Sequence, residues 1–255
     1  MRPGLWEMLE FTMTTTASPE EVARFTAMAE AWWDPDGKFK PLHRFNPVRL
    51  AFMRRELAAH FGRDPQAMRP FEGLTLLDVG CGGGLLSEPL ARMGFTVTGI
   101  DAGDRNIAIA SIHAEQSGVP VTYRLGGPED VEPSSFDVVM AMEVIEHVPD
   151  PDRFIALAAA ALKPGGAFLG ATLNRTLKSF ALAKVGAEYL LQWLPKGTHD
   201  WKKFVRPSEF AAMLRKAGVQ TRCFNGLDYS LLTDSWSETQ SLDVNYLLFA
   251  VKETA

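Results

Sequence analysis

Little in this chain points away from the reducing interior of a cell. Cysteine occurs twice, at Cys81 and Cys223, which is no basis for a disulfide framework. The sequence has no run of eighteen uncharged apolar residues, so no segment reads as a membrane-spanning helix. The first sixteen residues hold one arginine and two glutamates, which excludes an Arg-rich transit peptide, and nothing resembles a secretory signal. Positive charge is not in surplus either. The 26 Lys and Arg face 31 Asp and Glu, a net charge of −5, against the basic footprint that general nucleic-acid binding needs. Internal repeats and low-complexity tracts are missing too. What remains is a globular chain with 46% apolar residues, cytoplasmic and of bacterial type, with room for a large core. Residues 1–17 read as a disordered leader, in which Met13 serves equally well as a start, and residues 18–255 as one domain.

What is present is organised around Leu74-Thr-Leu-Leu-Asp-Val-Gly-Cys-Gly-Gly-Gly84. Residues 74–79 are a short apolar run closed by glycine, the pattern of a buried strand in an α/β sheet. Gly80, Gly82, Gly83 and Gly84 then form a loop with no Cβ to hold a ligand off the backbone, and residues 85–93 follow with helical spacing. Strand, glycine turn and helix start make the nucleotide-site arrangement of doubly wound folds. The dinucleotide fingerprint fails, because its third glycine would fall on Leu85. A phosphate loop fails as well, for want of Gly-Lys-Ser/Thr. Asp78 would repel a pyrophosphate and attract an ammonium or sulfonium group. Asp101 ends the next strand, Thr96–Asp101, about twenty residues on, where a carboxylate accepts hydrogen bonds from ribose hydroxyls. Two acids without a phosphate grip point to a cationic, phosphate-free nucleoside, S-adenosylmethionine.

Asp-Val-Gly-Cys-Gly-Gly-Gly followed by Gly-Ile-Asp, with the later Met142-Glu143-Val-Ile-Glu146-His147, resembles the motifs of class I S-adenosylmethionine-dependent methyltransferases. The resemblance implies a Rossmann-like α/β fold: a mostly parallel seven-stranded sheet, its last strand antiparallel, with helices on both faces. The hydropathy pattern places strands at 74–79, 96–101, 121–125, 136–142, 167–172, 219–224 and 244–251, alternating with helices at 104–117, 150–162 and 208–217. Phe136–Met142 is almost wholly apolar, as suits a strand buried on both faces.

Two helices precede the sheet. Ser18-Pro19-Glu20-Glu21 reads as a capping box opening a helix to about Trp33. Residues 39–47 read as an irregular basic and aromatic segment, after which Asn46-Pro47 opens a helix to about Phe61 with Arg49 in its first turn. Residues 18–70 thus read as a helical lid. Residues 174–204 stand outside the scheme as an insertion longer than an open α/β fold needs. Within it, residues 177–194 have helical spacing and a wide apolar arc, with Lys184, Glu188 and Gln192 as a narrow polar stripe. Lysines and arginines flank this stretch, and Phe180, Tyr189, Trp193 and Trp201 supply aromatics. This is the composition of a helix lying on an anionic membrane surface, with a helix buried against the body as the plainer alternative.

Longer signatures narrow the resemblance. Phe39-Lys-Pro-Leu-His43-Arg44, Asn46-Pro-Val-Arg49, Thr172-Leu-Asn-Arg175, the 185–204 segment and Val244-Asn-Tyr246 are similar to the ubiquinone-biosynthesis O-methyltransferases, over nearly everything from Ser18 onward. That family implies O-methylation of a polyprenylated dihydroxyphenol and of demethylubiquinol, contact with other ubiquinone-biosynthesis proteins, and a place at the inner face of the bacterial plasma membrane. Carried over by motif, Arg49, Gly80, Asp101 and Met142 are cofactor residues, joined by Asp78 and Gly82. Arg49 suits the methionine carboxylate and Met142 suits adenine.

His147 is the natural general base for a phenol, whose pKa is about 10, and Glu143 shares the catalytic segment. At i, i+3 and i+4 on a helical turn, Glu143, Glu146 and His147 would share a face and could ligate Mg²⁺, which would acidify a catechol hydroxyl. As a third reading, His147-Val-Pro149 simply builds the turn after the strand. Other functions remain in view: a Rossmann-type dehydrogenase, disfavoured by Asp78 and Leu85, a methyltransferase for another small phenol, and a non-catalytic cofactor-binding member of a biosynthetic complex.

Overall fold

The structure, a computed structural model, describes residues 15–180, 201–230, 233 and 235–254. The strands are β1 (Thr75–Val79), β2 (Thr96–Asp101), β3 (Val121–Leu125), β4 (Phe136–Met142), β5 (Leu162–Leu173), β6 (Val219–Ser230), β7 (Ser235–Thr239) and β8 (Asn245–Lys252). They form one sheet in the order β3-β2-β1-β4-β5-β8-β6-β7. The first five strands pair in parallel, and β8 runs antiparallel to both β5 and β6. Among the described residues, the α-helices longer than a single turn are α1 (Pro19–Thr26), α2 (Lys40–His60), α3 (Ser87–Arg92), α4 (Asp104–Gln116), α5 (Pro151–Ala160) and α6 (Pro207–Lys216).

The period-2 alternation of the strands sorts their side chains to two cores. Leu76, Val138, Met140 and Leu169 pack with Phe52, Met53 and Leu57 of α2 and Leu90 of α3. Their neighbours Leu77, Val139 and Phe168 pack on the opposite face with Phe154 and Ile155 of α5 and Phe210 and Leu214 of α6. Each such fully buried side chain stabilises the fold by about 1.5–3 kcal/mol. Lys252 Nζ donates to Ala159 O and Leu162 O at 3.1 and 2.7 Å, so a cation meets the carbonyls at the end of α5.

All seven expected strands are present, the last antiparallel, and an eighth is added. β6 continues past Phe224 to Ser230 and turns back into β7, paired antiparallel from Gly226↔Thr239 to Ser230↔Ser235. Asn225-Gly226 imitates a turn signal. Here the missing Cβ serves a close approach instead, since a Cβ on Gly226 would fall 1.7 Å from Ser241 O. Residues 163–166 likewise lie inside β5, where its register with β4 shifts between Phe136 and Val138.

The N-terminal helices differ more from expectation. α1 stops at Thr26, and Ser18 makes no side-chain capping bond. Residues 40–47, read as irregular, are the first turns of α2, so Arg49 lies in its third turn rather than its first. Pro47 breaks the expectation because an interior proline forfeits a helix hydrogen bond and costs about 3 kcal/mol. Its ring faces solvent, and the buried Phe45, Phe52, Met53 and Leu57 of the same helix offset that loss. Most of the expected helix at 177–194 lies outside the described residues, as do residues 1–14. The described part begins as one helical turn, Leu177–Ser179. Among the described residues, no helix is long and apolar enough to cross a membrane.

Candidate active site

The loop after β1 owes its shape to glycine, though not in the way its sequence suggests. Gly80 and Gly82 take φ of +73° and +52°, left-handed values that only glycine adopts freely. The spaces where their Cβ atoms would fall are filled by protein: Val144 beside Gly80, and the Trp32 indole beside Gly82 and Gly83. The loop amides also turn inward. Gly80 N and Cys81 N both donate to Ile100 O at 2.8 and 3.0 Å, which leaves neither for a phosphate.

Asp101, at the end of β2, is the acceptor of this network. Gly103 N and Asn106 Nδ2 donate to its Oδ1 at 2.8 and 3.0 Å, and Gly82 N donates to Oδ2 at 3.0 Å. Trp32 Nε1 donates to Asn106 Oδ1 at 2.9 Å. An indole N–H can only donate, so the Asn106 amide must turn its NH₂ to Asp101. Trp32 also stacks on Phe39, ring centroids 3.8 Å apart. The N-terminal segment is thereby linked, through Asn106, to the carboxylate expected to hold ribose. Asp78 lies deeper and accepts from Ser87 Oγ at 2.6 Å. Burial, then repulsion from Asp101, pushes its carboxyl up to about 7 despite the Ser87 bond.

The segment after β4 carries the second set of groups. Glu143 has φ of +57°, a strained conformation for a residue with a Cβ, and its carboxylate forms an ion pair with Arg49. Arg49 is buried, stacks 3.8 Å over the Phe45 ring, and leaves its Nε without a partner among the described residues. Burial lowers its pKa against the pull of Glu143 and Glu146. Glu146 accepts from Thr172 Oγ1 at 2.9 Å while its Oε1 is buried without a partner. Burial, then the Glu143 charge, holds the Glu146 carboxyl well above the usual carboxylate range. Met142 is half-buried at the strand end and lines the same cavity.

His147 does not join the two glutamates. It ends a single 3-10 turn, Ile145–His147, and its Nδ1 lies 3.3 Å from Glu21 Oε2 and 3.4 Å from Arg24 Nη2, both on α1. Phe25 meets the imidazole edge-on at 5.1 Å. Glu21, read from sequence as a capping residue, is spent here instead. The His147 hydrogen bond is the largest influence holding its carboxyl down to about 2. The face-sharing geometry expected for Glu143, Glu146 and His147 needs a regular helix, and the short turn does not supply one. Among the described residues, no group of three or more His, Cys, Asp or Glu could hold a metal ion. Glu143 and Glu146 remain as a pair of hard oxygen donors, the part of the expected set that fits Mg²⁺.

A cavity of about 490 Å³ joins these groups. Asp101, Asn106 and residues 126–128 line it along with Arg49, Met142, Glu143, Glu146 and His147, and the β6–β7 hairpin contributes Leu227, Tyr229 and Trp236. With that geometry in place, similarity to known proteins decides the family. The methyltransferase domain profile matches residues 48–223. The chain is 73% identical over 238 residues to a ubiquinone biosynthesis O-methyltransferase of Paramagnetospirillum magneticum, covering 93% of this chain and 96% of that protein. It is 53% identical to the like-named protein of a Chelativorans species, over 94% and 96% of the two chains. The chain belongs to the ubiquinone biosynthesis O-methyltransferase family.

In fold, this family member is similar to the magnesium protoporphyrin IX methyltransferase of Synechocystis PCC 6803 with bound SAH. The TM-score is 0.56 at 17% identity, over 89% of this chain and 99% of the other. The residues singled out in the sequence, Arg49, Asp78, Gly80, Gly82, Asp101, Met142, Glu143, Glu146 and His147, all line the one cavity. Sequence reasoning missed Trp32, Asn106 and Glu21. Trp32 falls near the end of the helix expected to reach about Trp33, Asn106 within the helix expected at 104–117, and Glu21 in the capping box, and no local pattern sets any of them apart.

Proposed function

We propose that this chain transfers the methyl group of S-adenosylmethionine to phenolic oxygens of polyprenylated dihydroxyphenol and demethylubiquinol intermediates in ubiquinone biosynthesis. The observation that carries the reading is the cavity itself, which sets a nucleoside-type acid at one strand end beside an oriented histidine at another. Asp101 accepts from the ribose hydroxyls. The methionine carboxylate meets the Nε of Arg49, which has no partner among the described residues, Asp78 faces the cationic amino acid end, and Met142 packs against adenine. Methyl transfer is an in-line displacement, in which the new O–C bond forms as the S–C bond breaks, so alignment supplies much of the rate. The phenolic proton passes to Nε2 of His147, the nitrogen left free when Nδ1–H points to Glu21. Mg²⁺, where bound by Glu143 and Glu146, would acidify a catechol hydroxyl.

Residues 18–70 act as a lid, through Trp32 and the Glu21–His147 contact. A polyprenyl tail at about 0.8 kcal/mol per buried methylene stays in the bilayer, so the enzyme works at the inner face of the bacterial plasma membrane, close to other ubiquinone-biosynthesis proteins. Residues 174–204 make that contact. Their described ends support it: Leu177 is 81% exposed, and Trp201 Nε1 donates to Thr176 O at 2.8 Å, so the insertion leaves and returns at one point.

The test is a methyl-transfer assay with labelled S-adenosylmethionine and a short-chain prenylated catechol, with and without chelator. Labelled methoxy product is expected. A folded protein that binds the cofactor and labels no catechol contradicts the reading.

A further inference from the structure

Asn245 is the first residue of β8, and neither the cofactor reading nor the base uses it. It is 6% exposed, it lines the cavity, and its Oδ1 is buried with no hydrogen-bond partner among the described residues. Buried amide oxygens are almost always paired, so an orphan on a residue that lines a cavity marks the place of a donor from outside the chain. The same cavity has an aromatic wall. Phe45 of α2 and Trp236 of β7 meet at 4.7 Å, and Tyr229 of β6 lies 5.3 Å from Trp236, both pairs tilted by less than 50°. Arg55 of α2 grips Glu238 of β7 with two bonds of 2.7 and 2.9 Å, which fixes the hairpin against the helix that carries Phe45. Through Phe45 the wall reaches the Arg49 guanidinium stacked on it, and so Glu143.

A flat ring bearing hydroxyl groups matches this chemistry: aromatic side chains take its face or edge, and the amide oxygen takes an O–H. We propose that Asn245 and the wall of Phe45, Tyr229 and Trp236 form the subsite for the acceptor's hydroxylated ring, with Asn245 Oδ1 accepting from a ring hydroxyl. This assignment rests on the methyl-transfer reading above and gives the edge hairpin, which a seven-stranded sheet would lack, the role of holding the acceptor.

The experiment uses full-length protein, S-adenosylmethionine and a short-chain prenylated catechol. It compares wild type with Asn245→Leu, Asn245→Gln, Trp236→Ala and Trp236→Phe, with cofactor Kd by calorimetry for each. In Asn245→Leu and Trp236→Ala, kcat/KM for the catechol should fall by about ten- to a hundredfold, while cofactor Kd stays within about twofold. Asn245→Gln, which keeps an amide but moves its oxygen, should lose kcat/KM in the same way, and this carries the test if the leucine variant fails to fold. Trp236→Phe should recover most of the alanine loss. Wild-type kcat/KM in the folded Asn245 variants and in Trp236→Ala would overturn the subsite. Parallel loss of cofactor affinity in those variants would also overturn it, by making their role one of packing. If the wild-type protein methylates no catechol, the methyl-transfer reading falls and takes the subsite with it. Wild-type methylation matched by the variants removes the subsite alone.

Discussion

The carboxylate that ends β2 and the carboxylates that follow β4 sit in one cavity and live under opposite conditions. Asp101 accepts three hydrogen bonds from Gly82, Gly103 and Asn106, all without a ligand. Beyond β4, Glu143 is held at a left-handed φ, and Arg49 Nε and Glu146 Oε1 are buried without partners among the described residues. The first arrangement is oriented before anything binds, with acceptor capacity left on Oδ2. The second keeps strain and unmet hydrogen bonds that a bound acceptor and methionine carboxylate can relieve. On the proposed function, the difference teaches a division of labour: a preformed end for the ribose, and a chemical end assembled with its ligands.

The largest test of that division falls on His147. Replacing it by alanine should lower kcat by about 10²–10⁴, with Glu21→Gln reducing it by a smaller factor because the base is retained but less well held. Steady-state rates on the two variants check this, and normal turnover in His147→Ala would end the general-base role.

Asp78 sharpens the contrast, because it shows that the cofactor side also holds one unfavourable group. Its folded carboxyl titrates at about 7 rather than the usual 3.8. The folded state therefore binds its proton more tightly than the unfolded chain does. Stability from this group is highest below about pH 4, falls as pH rises toward 7, and stays low above it. Asp78→Asn removes that loss. The variant should be more stable than wild type at pH 8 by on the order of 2–4 kcal/mol and gain nothing near pH 3. It should also bind S-adenosylmethionine more weakly, since the charge facing the cationic end is gone. Denaturant melts at the two pH values measure the first part. An equal gain at both would mean that the stabilisation has another source.

The sequence-to-structure comparison divides along the same line. The sheet, the glycine loop and Asp101 were legible because local rules govern them: apolar strand runs, glycine where φ is positive, an acid at a strand end. The groups that were not legible depend on partners far along the chain. Glu21 reads as a capping residue because its distant partner His147 is invisible from its own neighbourhood. Trp32 fills the space that Gly82 and Gly83 leave open, so the glycine motif announced a close approach but not what approaches. Residues 40–47 misled because two prolines within eight positions outweigh, in any local reading, the burial of Phe45, Asn46 and Arg49 that makes them helical. β7 escaped notice because Ser-Trp-Ser-Glu-Thr offers a single apolar residue, and its pairing with β6 is what makes it a strand.

The most direct test of the divided cavity is calorimetry of S-adenosylhomocysteine binding to Asp101→Ala and His147→Ala side by side, with no acceptor present. Asp101→Ala should lose about 1.5–3 kcal/mol of binding free energy, as for hydrogen bonds to a charged group, and His147→Ala should stay within about twofold of wild type. Equal losses in the two variants would contradict the account, because the ribose end and the chemical end would then be one site.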